Sequence, residues 1–182
     1  MPRTRPFRAL LLIALAAAPG FTACSSSGEG GLRSEPDPIS TYGIEREGDA
    51  SAAQLNTFLH HKARDWAWAG GQFDAPDDNA VLSADTPQTF SFHADPADFA
   101  EGGAPDEIVM THLLQFSRAS GSSLLQVFTT LSEYTPNAQD WQKLVDAGEP
   151  ITLSLTTGSF VGSGLPQDGG PFIGQTITFT IE

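Results

Sequence analysis

Four histidines, His60, His61, His93 and His112, are the residues with the chemistry to hold a metal or move a proton. His60 and His61 are neighbours in a stretch with helical spacing. On a helix they point about 100° apart and cannot chelate one ion together. His93 falls in the outward phase of one alternating run and His112 in the inward phase of another. No His-x-x-x-His spacing is present and no cysteine lies near them, so the pattern of a zinc site is missing. The histidines read as surface or rim residues. Acids are denser: Asp95, Asp98, Glu101, Asp106 and Glu107 crowd one segment, and Asp74, Asp77 and Asp78 another. Calcium takes six to eight oxygens from such loops, but the ligand order of an EF-hand is absent. Solvated turns and a calcium site both fit, and calcium-dependent melting separates them.

Catalytic nucleophiles fare no better. Ser163 sits in Gly162-Ser163-Gly164, which lacks the Gly-x-Ser-x-Gly order of a nucleophile elbow. The same glycines are followed by no Lys-Ser/Thr pair and do not make a phosphate loop. Trp66, Trp68 and Trp141 invite a glycan platform, but Trp141 shares a helical face with Leu144 and reads as core. Trp66 and Trp68 fall where a helix meets the following strands, where packing roles are favoured. With no constellation to carry a reaction, the chain is read as not an enzyme and as needing no cofactor. One loop stands out: residues 161–173 (VGSGLPQDGGPFI) are long for a hairpin and offer Leu165 and Phe172 among glycines. Two readings stay open there. The loop is a partner-binding surface carried by Leu165 and Phe172, or a turn with Phe172 folded onto the sheet.

Composition bounds the rest. The 182 residues suffice for one ordinary domain with export and linker segments. Hydrophobic residues at 40 % and charged residues at 17 % are too apolar a mixture for an intrinsically disordered chain. Eighteen glycines and thirteen prolines suit short strands and many turns. The formal net charge of −13 repels nucleic acid, which excludes that class of partner. A single cysteine cannot form a disulfide within the chain, so the domain holds together by burying apolar surface.

The position of that cysteine explains it. Residues 1–8 contain Arg3, Arg5 and Arg8 and no acid, and residues 9–18 (ALLLIALAAA) are a run of ten apolar residues. That run is about half the ~20 residues a membrane-spanning helix needs, so it reads as a signal core. Pro19 and Gly20 then break the helix ahead of Phe21-Thr22-Ala23-Cys24-Ser25. This segment resembles the lipobox of bacterial lipoproteins, with Phe21 where leucine is usual. The resemblance implies a diacylglycerol on the Cys24 sulfur, cleavage before Cys24 and acylation of the new amine. It also implies attachment to the lipid bilayer, and Ser25 after the cysteine resembles sequences sent to the outer membrane. An ordinary secreted protein is the competing reading, but cleavage after Ala23 would then place bulky Phe21 where a small residue is preferred. Loss of Arg3, Arg5 and Arg8 with the leader makes the mature chain more acidic still.

The elements follow from the hydrophobic period. Residues 25–48 are rich in Ser, Gly, Glu and Pro and read as a flexible tether. From Asp49, a possible helix cap, Leu55, Phe58, Leu59, Lys62 and Trp66 share one face, which predicts a helix at about 50–63. Then the period becomes two. Phe90 and Phe92 alternate with polar neighbours, as do Ile108, Met110, His112, Leu114 and Phe116. Leu125, Val127 and Leu131 alternate more weakly, because Leu124 and Phe128 point the other way. Ile151, Leu153 and Leu155 alternate with Thr152, Ser154 and Thr156, and Ile177, Phe179 and Ile181 with Thr176, Thr178 and Thr180. A short helix at about 137–147 buries Trp141, Leu144 and Val145, with Gly148 after it as a cap.

Short strands separated by turns indicate a β-sandwich. Pro76-Asp77-Asp78-Asn79-Ala80-Val81-Leu82, then Pro87-Gln88-Thr89-Phe90-Ser91-Phe92, resembles the opening of immunoglobulin-like or fibronectin type III-like modules, and Tyr134-Thr135-Pro136 before the Trp141 helix fits the comparison. The resemblance covers about residues 72–182. The expectation is a mainly β chain: a signal peptide at 1–23, a tether at 24–48, and one sandwich with an N-terminal helix at 49–182. Its expected role is a lipid-anchored, non-enzymatic interaction or structural module with a possible protein partner. The alternative is a lipoprotein that captures calcium or a small solute.

Overall fold

The computed structural model describes residues 43–65, 69–94 and 108–182. The leader, Cys24 and most of the tether lie outside these residues, as do Trp66, Trp68 and the acidic segment 95–107. In chain order the elements are β1 (Ile44–Glu47), α1 (Ala52–His60), β2 (Gln72–Ala75), β3 (Ala80–Leu82), β4 (Phe90–His93), β5 (Ile108–Arg118), β6 (Ser123–Thr129), β7 (Glu133–Tyr134), α2 (Ala138–Val145), β8 (Ile151–Val161) and β9 (Phe172–Ile181). The chain is mainly β, in two sheets, consistent with a β-sandwich. One sheet has six strands in the order β1-β6-β5-β8-β9-β3 and the other three in the order β2-β4-β7.

Alternation builds the space between the sheets. Leu114 and Phe116 of β5, Leu125 and Val127 of β6, Ile151, Leu153 and Leu155 of β8, and Ile177 and Phe179 of β9 are all buried. They join one cluster with Phe90 and Phe92 of β4, Tyr134 of β7, and Trp141 and Leu144 of α2. Phe90 meets Phe116 edge-on at 5.1 Å between ring centroids and Phe179 at 5.4 Å, the offset geometry that aromatic quadrupoles favour. The Trp141 indole N–H donates to the Ala84 carbonyl at 3.1 Å, which settles that side chain as core. α2 starts where the Asn137 side chain accepts from the N–H groups of Gln139 and Asp140. Gly148 stands beyond its end at φ +62°, a backbone conformation that favours glycine.

The large sheet is covered on its other face too. α1 packs Leu55 and Phe58 against Phe128 of β6 and Phe160 of β8, forming a second cluster with Ala50. Phe58 and Phe128 meet edge-on at 5.2 Å. The close approach depends on Gly158, where an added Cβ would lie 2.9 Å from a Phe58 ring carbon. The outward phase of Phe128, which weakens the alternation of β6, is therefore the phase that receives the helix.

Several expectations need correction. The helix runs over Ala52–His60 and not 50–63, and its cap is Ser51 and not Asp49. Ser51 and Gln54 exchange backbone-to-side-chain hydrogen bonds in a capping box, while the Asp49 N–H is held by the Thr130 hydroxyl. The helix stops at His60, where the backbone turns extended at His61, and beyond it the Arg64 N–H donates to the Pro171 carbonyl while the Arg64 carbonyl accepts from Ile173. Lys62 is thus outside the helix and exposed. Leu131 lies beyond β6 and is 45 % exposed. The tether boundary at 48 also moves, because β1 pairs in parallel with β6 and Ile44 packs against the α1 cluster.

Candidate functional site

Residues 161–173 are fastened at several points. Val161 and Gly164 exchange backbone hydrogen bonds of 3.0 and 3.1 Å, closing a tight turn around Ser163. α1 holds that turn from above: Gln54 Nε2 donates to the Gly162 carbonyl at 3.0 Å and the Thr57 hydroxyl to the Ser163 carbonyl at 3.3 Å. Further on, Gly169 accepts from the Ser159 N–H at 2.7 Å, and Arg64 Nη2 donates to the Gln167 carbonyl at 3.2 Å.

The two residues expected to carry a binding surface are placed differently. Phe172 is the first residue of β9 and only 2 % exposed, with the Arg64 guanidinium 4.9 Å over its ring centroid. This is the second of the two sequence readings, in which the ring folds onto the sheet. Leu165 is half-buried and packs against the α1 cluster. The apolar surface this region turns to solvent is Val161, 42 % exposed, and Ile173, 50 % exposed. The alternation of Ile177, Phe179 and Ile181 would place Ile173 inward; the β8–β9 register shift between Ser154 and Thr156 turns it outward, so the sequence pattern did not announce it.

The histidines do not converge. His60 and His61 each place Nδ1 within hydrogen-bond distance of a helix carbonyl, that of Asn56 and of Thr57. His93 is exposed and its Nδ1 lies 2.8 Å from Asp74. His112 is 4 % exposed, edge-on to Phe92 at 5.0 Å, and its Nδ1 has no hydrogen-bond partner among the described residues. Burial pushes its pKa down to about 4. Two of the three acids of residues 74–78 are occupied as well: Asp74 by His93, and Asp78 by the Thr178 N–H and the Asn79 side chain. Among the described residues no three histidine, cysteine or acidic side chains group so as to hold a metal ion.

A cluster that sequence reading missed lies where β1, β7 and α2 meet. In the β1–β6 register Glu45 stands opposite Val127 and Glu47 opposite Thr129, so both acids share the face of these inward residues. Across from them is Asp140 of α2, only 2 % exposed, which takes hydrogen bonds from Asn137 and from Lys143, the latter at 2.6 Å. Burial opposes the Asp140 charge, but hydrogen bonds from Lys143, Glu45 and Asn137 hold its pKa below the usual value. Burial and the hydrogen bond to Asp140 raise that of Glu45, and burial raises that of Glu47. The Tyr134 hydroxyl is buried without a hydrogen-bond partner among the described residues, and burial with the charges of Glu45, Asp140 and Glu47 raises its pKa. Glu45 and Asp140 are 95 positions apart, so no local spacing announces the pair. No protein-family model, curated protein or solved structure matches this chain.

Proposed function

We propose that this chain is an extracytoplasmic lipoprotein, held at the outer membrane by an acylated Cys24, whose sandwich is a non-enzymatic interaction or structural module. The observation that carries the reading is the order Arg-rich start, ten-residue apolar run, Phe21-Thr22-Ala23-Cys24, then a polar tether leading into one folded domain. Several acyl chains on one residue amount to stable anchoring, at ~0.8 kcal/mol per buried methylene. Nineteen residues between Cys24 and Ile44 give a flexible spacing of about 25 Å from the lipid.

The sandwich is read as immunoglobulin-like, and strand order supports this. β9-β8-β5-β6 follows the G-F-C-C′ order of such a sheet, and β4 beside β7 follows B beside E, with β2 as the A strand. Contacts in such domains gather on the loops at the ends of the sheets, here the 161–173 segment with Val161 and Ile173 exposed.

The test is expression of the full chain and of Cys24→Ser in a bacterial host fed radiolabelled palmitate, with a photocrosslinking residue at Ile173. Label in the wild type only, with an Ile173 crosslink to a discrete protein, is the expected result. An unlabelled wild type overturns the anchor, and an uncrosslinked but labelled one overturns the contact surface.

A further inference from the structure

The start of β2 and the start of β9 meet in a cleft of about 340 Å³, lined by Gly70, Gly71, Gln72, Ile173, Gly174 and Gln175. That volume is at the low end of small-ligand sites, with room for a sugar ring. Bare backbone makes up much of its wall, because side chains do not fit: a Cβ on Gly70 would lie 2.2 Å from the Ile173 carbonyl oxygen, and one on Gly174 2.6 Å from that of Gly71. The Gln175 N–H donates to the Gly71 carbonyl, and its Oε1 accepts from the Phe73 N–H at 2.8 Å. These bonds fix the amide and leave its Nε2 to donate. The Gln72 side chain is exposed, with no hydrogen-bond partner among the described residues. Ile173, 50 % exposed, adds an aliphatic wall.

β9 continues from the cleft along the outer face of the large sheet, beyond the part that α1 covers. There the register lines up Gln115, Ser154 and Thr176 in one row and Ser117, Thr152 and Thr178 in the next. Side chains in such rows stand about 4.8 Å apart across strands and about 6.7 Å apart along them. None of these six side chains hydrogen-bonds to another described residue. No residue of β8 or β9 is charged, in a chain with 22 acids. Hydroxyls and amides both donate and accept. A cation would find no counter-charge here, and the net charge of −13 repels an anionic polymer. A neutral chain of hydroxyls answers all of these groups. We propose that the cleft and the hydroxyl rows beside it bind a neutral polysaccharide. One sugar ring sits between Gln72 and Gln175 with its C–H face on Ile173, and the following rings lie over Thr176 and Ser154. Every group involved belongs to the folded sandwich, so the proposal stands apart from the Cys24 anchor and from any protein that docks on the 161–173 segment.

Native electrophoresis of the full chain through gels holding a neutral glucan, mannan, xylan or galactan, with anionic hyaluronate as the control, tests this. At least one neutral polymer is expected to retard the wild type, and hyaluronate to leave it unretarded. Gln72→Ala combined with Thr176→Ala removes an amide and a hydroxyl that bond to no described residue. The pair is expected to weaken the retardation about tenfold with the melting temperature unchanged. If the pair melts lower, Gln72→Ala alone, at an exposed position, is expected to weaken it severalfold. Passage of the wild type unretarded through all the neutral gels overturns the proposal. So does equal retardation by hyaluronate, or retardation that folded variants leave intact.

Discussion

Acidification should destabilise this domain through His112. The imidazole is 4 % exposed, packs edge-on against Phe92, and has a pKa lowered by burial from 6.5 to about 4. Its folded-state value is depressed, so in the unfolded chain it takes up a proton first as pH falls. The stability it contributes is therefore present above pH 6.5 and is lost as pH falls toward 4. At 1.36 kcal/mol per unit, the full window amounts to about 3 kcal/mol, a large share of a marginal folding free energy. Glu47 acts in the opposite sense, because its pKa is raised, and it lies two strands away across Thr129. The measurement must isolate the histidine. Urea unfolding of wild type and His112→Leu at about pH 7 and about pH 4.5 does so, because the carboxylate contributions largely cancel in the difference. The wild type is expected to lose about 2–3 kcal/mol more than the variant between those pH values. Equal losses in the two proteins would show that His112 does not titrate across the window, and the burial argument would fail.

Two substitutions probe how α1 is seated. Gly158→Ala places a methyl 2.9 Å from the Phe58 ring inside a filled cluster, and overpacking of this kind costs about 1–3 kcal/mol. Thermal melting reads it, and adding Phe58→Leu should recover part of the loss; no recovery would mean that the strain lies elsewhere. Ser51→Ala removes one half of the capping box and should cost about 1 kcal/mol by urea unfolding, with Asp49→Ala close to neutral. The reverse ranking would restore Asp49 as the cap.

Much of the sheet was readable because a half-buried strand imposes a period of two. Ile151, Leu153 and Leu155 are fully buried as their alternation with Thr152, Ser154 and Thr156 demands, and Ile177 and Phe179 follow the same rule. α2 was legible from Trp141 and Leu144 at helical spacing, and its cap proved to be Asn137 at the expected boundary. β6 was harder, since Leu125 and Val127 face one core and Phe128 the other, and a strand buried on both faces loses its alternation. β1 was missed because Ile44–Glu47 carries a single apolar residue, and its place is set by partners more than eighty positions away.

The loop and the acid corner divide along the same line. Sequence alone marked 161–173 as long and glycine-rich, because turn chemistry is local. Only the fold decided that Arg64 would cover Phe172, since that contact joins a helix exit to the start of the last strand. Likewise the acidity of the chain was plain from composition. Composition could not say that Glu45, Glu47 and Asp140 would meet beside a buried phenol. Periodicity and caps arise within a few residues and are written in their order. The pairing of charges across elements follows from which strand lies next to which, and that is decided by burying apolar surface over the whole chain.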